Sequence, residues 1–425
     1  MTLLEKDKKY VWHPFTQAQI APEPIPVVKA EGIWLYAEDD KAYIDANSSW
    51  WTTLHGHCHP YIMDKMSQQL KKLDHTIFAG ATHPGAVEAA ERVVNLLSGN
   101  YSKAFFSDNG STSVEVALKM VYQYWFNKGE QKKRFLAIQG SYHGDTFGAM
   151  SVGQRGYFNK PFEHLFFEVD FIPFPTESNI DEVVSLTEEL LSTGEFAGFI
   201  FEPLVQGAAG MRIYQPEWLN KLVDIAKQHD VLTIADEVMT GFYRTGTVFA
   251  MDQIQHQSDI VCLSKGLTGG VMALGMTVTT AQIFEAFLGE NMDNAFLHGH
   301  SFTANPIACS AICASLDLLE KEETRQKVNK IGEMHRDFCL KVKDHPGFRS
   351  AKSIGTILSL EIEVNEDSSY FETDMRTAAY NYFIANELLI RPLGNVIFVN
   401  PPYCITEGEL EKVYHHILEF VNGKT

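Results

Sequence analysis

Short apolar runs rich in β-branched and aromatic residues alternate with longer amphipathic stretches through the middle of the chain. Helical patterns such as SVEVALKMVYQYWFNKG and PEWLNKLVDIAKQHD separate the runs. The alternation predicts an α/β fold whose large lobe has a mostly parallel central sheet. Ligands of such sheets gather at the carboxyl ends of the strands. The strand-like runs are AFF at 104–106, FLAI at 135–138, GFIF at 198–201, VLTI at 231–234, DIVCL at 259–263 and MTVT at 276–279.

The two ends of the chain have a different pattern from its middle. With 425 residues the chain is long enough for two lobes. The proline-rich segment APEPIPVV and two short strand-like runs come before residue 49, and GTILSLEIEV and LLIRPLGNVIFVNPP follow residue 320. We therefore predict a large domain over 49–320 and a smaller α/β domain built jointly from 1–48 and 321–425.

Charge and cysteine usage exclude several classes of protein. The net charge is −19, from 54 acidic and 35 basic residues, which makes nucleic acid an improbable partner. The N-terminus MTLLEKDKKY lacks the apolar core of a signal peptide, and no apolar run reaches the roughly 18 residues of a membrane span. Six cysteines are scattered without CxxC spacing. These features predict a cytoplasmic protein without disulfides or zinc.

Histidines recur in LHGHCHP and in LHGHSFTANP, which raises the question of a metal site. The first segment contains His55, His57 and His59 but no carboxylate at ligand spacing, and Cys58 would point the other way in an extended chain. The second contains His298 and His300. We predict no metal site at either segment.

Lys265 and Asp236 each follow a strand-like run and form the most informative pair in the sequence. A lysine in a dry, rigid position keeps a neutral amine that can form an imine. A carboxylate in the same pocket needs a cationic partner, such as a protonated pyridine nitrogen. Pyridoxal phosphate (PLP) offers both an aldehyde and a pyridine, so the pair indicates this cofactor. The alternative is a buried salt bridge between two strands.

The segment SDNGSTSVEVALKM is a glycine–hydroxyl turn that leads into a helix. Thr112 and Glu115 have the spacing of a capping box. The free amides of such a helix N-terminus bind anions, so Gly110, the Ser111 hydroxyl and the Thr112 amide are candidates for a phosphate site. A plain capped helix is the alternative. The sequence has no Walker loop and no GxGxxG motif, which argues against an ATP site or a dinucleotide site.

Other residues are candidates for binding a flat ring or a carboxylate. Tyr142, in a glycine-flanked turn, could stack on a planar cofactor, although a loop aromatic is as good an interpretation. Trp50 and Trp51 could wall an apolar pocket or belong to the core. Arg391 lies among apolar residues and could bind a carboxylate or form a structural ion pair. Arg244 is a weaker candidate of the same kind.

Taken together, the stretch from TIADEVMTGFYRTG through DIVCLSKGLTGG resembles the cofactor signature of class III aminotransferases, which are fold-type I PLP-dependent transferases. The resemblance implies that Lys265 forms the internal aldimine and then carries a proton, and that Asp236 keeps the pyridine nitrogen protonated. It also implies that Tyr142 stacks on the ring and that Gln206 lies near its phenolic oxygen. Gly110 and Ser111 would hold the phosphate, together with Ser301 from a neighbouring subunit of a homodimer.

A closer resemblance, along nearly the whole chain, is to the branch of that family that acts in biotin synthesis. It rests on WHPFTQ, SSWWTTLHGHCHP, DNGSTSVEVALKM, YHGDTFGAMSVG, EPLVQGAAGM and IRPLGNVIFVNPPY. It implies ping-pong transfer of an amino group from S-adenosylmethionine to 8-amino-7-oxononanoate. The implied substrate-binding residues are Trp50, Trp51, Tyr142, Arg244, Gly299 and Arg391.

Three positions depart from the pattern of this branch and leave the amino donor open. Phe15 and Phe398 stand where some relatives have tyrosine, and Ser301 stands where some have threonine. Lysine is therefore an alternative donor. Another class III enzyme acting on ornithine or 4-aminobutyrate, an aminomutase and a PLP-sensing regulator are further alternatives. The regulator would need an attached DNA-binding domain, for which the two lobes leave no room.

Overall fold

The computed structural model describes residues 1–364 and 374–423. The helices are α1 (Leu3–Tyr10), α2 (Ser48–Trp51), α3 (Pro60–Leu70), α4 (Pro84–Leu96), α5 (Gly110–Asn127), α6 (Phe147–Ser151), α7 (Ile180–Leu191), α8 (Pro216–Gln228), α9 (Ala281–Glu285), α10 (Pro306–Leu319), α11 (Glu322–Val342), α12 (Asp374–Ala385) and α13 (Glu407–Asn422). The strands are β1 (Val27–Glu31), β2 (Trp34–Ala37), β3 (Ala42–Asp45), β4 (Tyr101–Ser107), β5 (Arg134–Ile138), β6 (Val169–Ile172), β7 (Phe196–Phe201), β8 (Val205–Gln206), β9 (Arg212–Ile213), β10 (Leu232–Asp236), β11 (Ile260–Leu263), β12 (Gly275–Thr280), β13 (Phe348–Ile354), β14 (Ile357–Ile362), β15 (Leu388–Leu389) and β16 (Val396–Val399).

A seven-stranded sheet with the order β4-β12-β11-β10-β7-β5-β6 forms the centre of the fold. Strand β12 is antiparallel to both of its neighbours, and the other six strands run in one direction. The predicted α/β fold with a mostly parallel sheet is confirmed. Because six strands share a direction, the turns that follow them meet at one edge of the sheet.

Helices cover this sheet because its strands are apolar on both faces. All six residues of β7 are buried, and so are all five of β10 and all four of β11. Helix α5 packs along β12 and β11 and buries an apolar stripe that includes Val114, Leu118 and Val121. Burial on both faces is what parallel strands need, since they have no solvated side.

Both ends of the chain contribute to a second, four-stranded sheet with the order β1-β2-β3-β15. Strand β15, from the C-terminal part, pairs in parallel with β3, from the N-terminal part, with Leu388 opposite Ile44. Strands β13, β14 and β16 form a separate antiparallel sheet. This pairing is what a smaller domain built from 1–48 and 321–425 requires, and we keep its boundaries with 49–320 as a proposal.

The start of α5 differs from the predicted capping box between Thr112 and Glu115. The cap is Asn109, whose side chain accepts the Thr112 amide at 3.0 Å, while the Thr112 hydroxyl accepts the Asn109 amide at 2.9 Å. The helix therefore begins at Gly110, two residues before Thr112. Glu115 instead accepts the amides of Gly148 and Ala149 at the start of α6.

The structure also bears on two properties considered from the sequence, membrane spans and metal sites. Within the described part of the chain, no helix combines the length and the apolar composition that crossing a membrane requires. In the same residues, histidine, cysteine and carboxylate side chains form no group of three or more suited to a metal ion. His57 is bonded to Asp45 at 2.8 Å, and His55 to the Ser315 hydroxyl at 3.1 Å.

Candidate active site

A cavity of about 600 Å³ lies at the edge of the central sheet where the six parallel strands end. Its walls are the segments that follow β4, β5, β7, β10 and β11, together with Trp51. The sequence predicted that Gly110, Tyr142, Asp236 and Lys265 share a site, and all four border this cavity. The complete lining is Trp51, Thr52, Asn109, Gly110, Ser111, Tyr142, His143, Gly144, Asp145, Thr146, Glu202, Asp236, Val238, Met239, Ser264, Lys265, Gly270, Met272 and Ala273.

Lys265 begins a short 3₁₀ turn directly after β11. Its φ of 45° lies in the left-handed region, which costs a non-glycine residue roughly 1–2 kcal/mol. Its amine lies 4.6 Å from the centre of the Trp51 ring. Burial lowers the pKa of Lys265 from 10.5 to about 8, against the charges of Asp236 and Glu202, which raise it. The amine is therefore far closer to its neutral, nucleophilic form than an exposed lysine is.

Asp236 is the last residue of β10 and is 4% exposed. Its Oδ2 lies 2.7 Å from Nδ1 of His143, which must carry the proton because a carboxylate only accepts. Its Oδ1 accepts the Val238 amide at 3.1 Å. These two bonds hold the carboxylate in place at the cavity wall, so it can face a cationic group.

The N-terminus of α5 opens into the cavity and can bind an anion. The amides of Gly110 and Ser111 are the first two of the helix and have no acceptor within it. A Cβ on Gly110 would lie 2.7 Å from Cγ1 of Val238, so only glycine fits there. The Ser111 hydroxyl lies 2.7 Å from that of Thr146. The Thr112 amide, a candidate for the same role, is already bonded to Asn109.

Tyr142 lies in the turn after β5, where two hydrogen bonds hold it. Its hydroxyl donates to Asp145 at 2.8 Å, and its amide donates to Oε1 of Glu202 at 2.9 Å. The other carboxylate oxygen of Glu202 accepts the Gly207 amide at 2.9 Å. The ring of Tyr142 thus forms one wall of the cavity, and its main chain is tied to the strand beside it.

The two tryptophans separate at α2, whose backbone is irregular. Ser48, Ser49 and Trp51 all have positive φ values, of 49°, 60° and 65°. Trp51 is 6% exposed and lines the cavity, whereas Trp50 is 43% exposed and lies outside its lining. The reversal at Ser48 and Ser49 turns neighbouring side chains in different directions.

Trp50 and Arg391 come together although 340 positions separate them in the sequence. The guanidinium of Arg391 lies 5.1 Å from the centre of the Trp50 ring, and Phe15 stacks on that ring at 5.8 Å. Arg391 makes no ion pair within the described residues, and its main-chain amide donates to Asn47 at 2.8 Å. An arginine stacked on an aromatic ring without a carboxylate partner is suited to an anionic ligand.

Besides Trp50 and Arg391, four more predicted site residues lie outside the cavity lining. Arg244 is buried, and its guanidinium donates to Asn400, to the carbonyl of Pro401 and to that of Thr53. Gln206 donates its side-chain amide to the Gln139 carbonyl. Gly299 and Ser301 are exposed on the surface. Their predicted roles stay predictions.

Most of the other lining residues were not predicted from the sequence, and three of them are Glu202, His143 and Val238. Glu202 follows β7 directly, within EPLVQGAAGM, but only Gln206 of that motif was singled out. A charged residue at the end of an apolar run was the available signal. His143 lies next to Tyr142 in the same turn, and Val238 carries no signal, because an apolar residue after a strand is ordinary.

Comparison with known proteins decides the family. A model of the family "Aminotransferase class-III" matches residues 16–421. The chain is a class III aminotransferase. This aminotransferase is 43% identical over 424 residues to the adenosylmethionine-8-amino-7-oxononanoate aminotransferase of Synechococcus elongatus, covering 97% of this chain and 98% of that one.

Solved structures of similar proteins agree with this aminotransferase over almost their whole length. The adenosylmethionine-8-amino-7-oxononanoate aminotransferase of Methanocaldococcus jannaschii has a TM-score of 0.94 at 32% identity, covering 99% of this chain and 98% of that one. An amine transaminase from an uncultivated Pseudomonas species, solved in its PLP-bound form, has a TM-score of 0.90 at 26% identity and covers 97% and 98%. The predicted fold-type I architecture is confirmed.

Class III aminotransferases use pyridoxal 5′-phosphate, and the cavity of this aminotransferase fits it. The open terminus of α5 suits the phosphate, the Asp236 carboxylate suits a pyridinium nitrogen, and the Lys265 amine is free within the described residues to attach to an aldehyde. When bound, the cofactor supplies an aldehyde for the amino group and a ring that withdraws electrons. The cavity lining thus contains both an amine, from Lys265, and a carboxylate, from Asp236, as this chemistry requires.

The lowered pKa of Lys265 predicts an unusual pH dependence for cofactor incorporation. Only the neutral amine attacks an aldehyde, so the rate should rise about tenfold per pH unit and then level near pH 8. Mixing cofactor-free protein with PLP and following visible absorbance measures this rate. The reaction of PLP with Nα-acetyl-lysine corrects for the cofactor's own titration. A corrected rate that still rises at about pH 10 would mean that Lys265 titrates like an ordinary lysine.

Proposed function

We propose that this aminotransferase transfers an amino group from S-adenosylmethionine to 8-amino-7-oxononanoate, a step of biotin synthesis. The observation that carries the proposal is the 43% identity, over nearly the full length of both chains, to a relative whose name specifies these two substrates. The transfer has two halves, because one cavity must receive the donor and the acceptor in turn.

The positions of the cavity residues support a separate role for each of them in binding the cofactor or moving the proton. Lys265 would hold the cofactor and, once released, carry a proton between substrate and cofactor, since its pKa of about 8 suits both uptake and release near neutral pH. Asp236 would keep the pyridine nitrogen protonated, and Tyr142 would stack on the ring. The amides of Gly110 and Ser111 would bind the phosphate.

Arg391 and the tryptophans support an acceptor that has an apolar chain and a carboxylate. Trp51 forms an apolar wall beside Lys265, and Trp50 carries the guanidinium of Arg391 on its face. A charge-assisted bond from Arg391 to the carboxylate would contribute about 1.5–3 kcal/mol. We keep Arg244 as a proposed substrate-binding residue, and its guanidinium bonds to the Thr53 carbonyl close to these tryptophans.

We further propose a homodimer in which the partner subunit's Ser301 and the partner subunit's Gly299 complete the site. Leu297 and Phe302, which flank these two positions, are 72% and 58% exposed, and Met292 is 67% exposed. Apolar side chains clustered in one segment favour burial against a second copy. Light scattering should give twice the mass of one chain, and a monomer that retains full activity would contradict the shared site.

We propose the cytoplasm as the compartment. All six cysteines are free thiols, as proteins of reducing compartments have.

The two half-reactions test the substrate assignment directly. S-adenosylmethionine added to the PLP form should remove its visible absorbance, and 8-amino-7-oxononanoate should restore it. Lysine, ornithine and 4-aminobutyrate serve as comparison donors. Bleaching by lysine alone, reversed by the oxo acid, would keep the acceptor and replace the donor. No response to either S-adenosylmethionine or lysine would overturn the proposal and leave the family assignment intact.

A further inference from the structure

Glu202 is a buried carboxylate in the active-site wall that none of the assigned roles uses. It directly follows β7 and is 6% exposed. Its Oε1 accepts the Tyr142 amide and its Oε2 accepts the Gly207 amide, both at 2.9 Å. Each oxygen therefore holds a different loop, one after β5 and one after β7. A glutamine side chain at this position could not accept from both main-chain amides, since its nitrogen only donates.

Glu202 also adds a second negative charge to the surroundings of Lys265. Burial raises the pKa of Glu202 to about 7, whereas the charge of His143 lowers it and that of Asp236 raises it. The charges of Asp236 and Glu202 both raise the pKa of Lys265, and that of Arg244 lowers it. Both carboxylates border the same cavity as the amine.

We propose that Glu202 is a positioning residue with two effects: its oxygens hold the Tyr142 turn and the Gly207 loop, and its charge stabilises the protonated form of Lys265. The charge acts across the cavity that both side chains border, where the low dielectric of the protein makes an ionic interaction stronger than in water. The proposal needs the family's cofactor but not the substrate pair proposed above, so failure of the substrate assignment would leave it standing.

The test is the pH profile of cofactor incorporation in Glu202→Gln. Removing the charge favours the neutral amine, so the midpoint should move to lower pH. Incorporation at pH 7 should be about threefold faster or more. The visible absorbance of the loaded protein should titrate at lower pH for the same reason, because its nitrogen belongs to Lys265. Neither readout depends on turnover.

Glu237→Gln is the matched control for loss of a buried carboxylate. Glu237 is fully buried, accepts the Met251 amide at 2.8 Å and the Thr240 hydroxyl at 2.5 Å, and lies outside the cavity lining. Burial also raises its pKa to about 7. We expect a comparable loss of thermal stability and an unchanged midpoint. A merely structural role for Glu202 would make the two variants behave alike.

Glu202→Asp separates the charge from the reach of the side chain. It keeps a carboxylate but withdraws it towards the main chain, so the midpoint should move in the same direction as in Glu202→Gln but less far. If Glu202→Gln does not fold, the midpoint measured for Glu202→Asp tests the proposal instead. A wild-type midpoint in a folded Glu202→Gln variant overturns the proposal, as does a wild-type midpoint in Glu202→Asp where Glu202→Gln does not fold. So does an equal shift in Glu237→Gln.

Discussion

Replacing Lys265 with alanine should lower turnover by at least about 10⁴-fold, because the change removes the amine that we propose attaches the cofactor and moves the proton. The amine lies at the carboxyl end of β11 and is only partly exposed. Alanine leaves no other amine in the cavity lining. Steady-state rates with the proposed substrate pair, together with the visible spectrum of the PLP-loaded variant, measure both losses.

Lys265→Ala should lose activity without losing thermal stability. Burial penalises the charged Lys265 amine, and within the described residues that amine has no hydrogen-bond partner, so its loss should leave the unfolding temperature of cofactor-free protein unchanged or higher. Lys352→Ala, at an exposed position in β13, is the control and should keep full activity. Turnover of Lys265→Ala within about tenfold of wild type would exclude Lys265 from the chemistry.

Replacing Asp236 with asparagine should lower turnover by about 10²–10³-fold, the usual effect of deleting one charge that stabilises a transition state. The amide has the same shape but no charge, so it would no longer hold a proton on a pyridine nitrogen. Its NH₂ group would also face Nδ1 of His143, now 2.7 Å from a carboxylate oxygen. The rate constants of the two half-reactions and the affinity for PLP measure the effect.

Asp259 provides the matched control at the opposite edge of the same sheet. Its Oδ2 accepts the amide and the hydroxyl of Thr233, at 2.7 and 2.8 Å, just before β11 begins. Asp259→Asn should lower the free energy of unfolding by about 1–3 kcal/mol without changing the half-reaction rates. Equal effects of the two substitutions on the rates would show that Asp236 acts only through stability.

The arrangement of the central sheet and half of the site could be predicted from local patterns. Apolar runs of four to six residues, separated by amphipathic stretches, identify β5, β7, β10, β11 and β12 without any tertiary information. Parallel strands bring their carboxyl ends to one edge, so polar residues just after them meet. Gly110, Asp236 and Lys265 follow strand-like runs as that rule requires, and all three border the cavity.

Other parts of the site depend on backbone angles that the sequence does not signal. Leu204 has a φ of 63°, unusual for leucine, and lies between Glu202, which lines the cavity, and Gln206, which bonds to Gln139. The reversal at Ser48 and Ser49 likewise separates Trp51 from its neighbour. Helix α5 is capped by Asn109 and not by the predicted pair of Thr112 and Glu115.

The sequence by itself determined the α/β class, the strands, the family and the amine–carboxylate pair at Lys265 and Asp236, because these depend on residue type and short-range spacing. The tertiary structure alone decided which polar side chain of each turn faces the cavity. It also placed Arg391 on Trp50 across 340 positions of sequence. Such choices depend on strained turns and on contacts between distant segments, which form only when the two ends of the chain pack together.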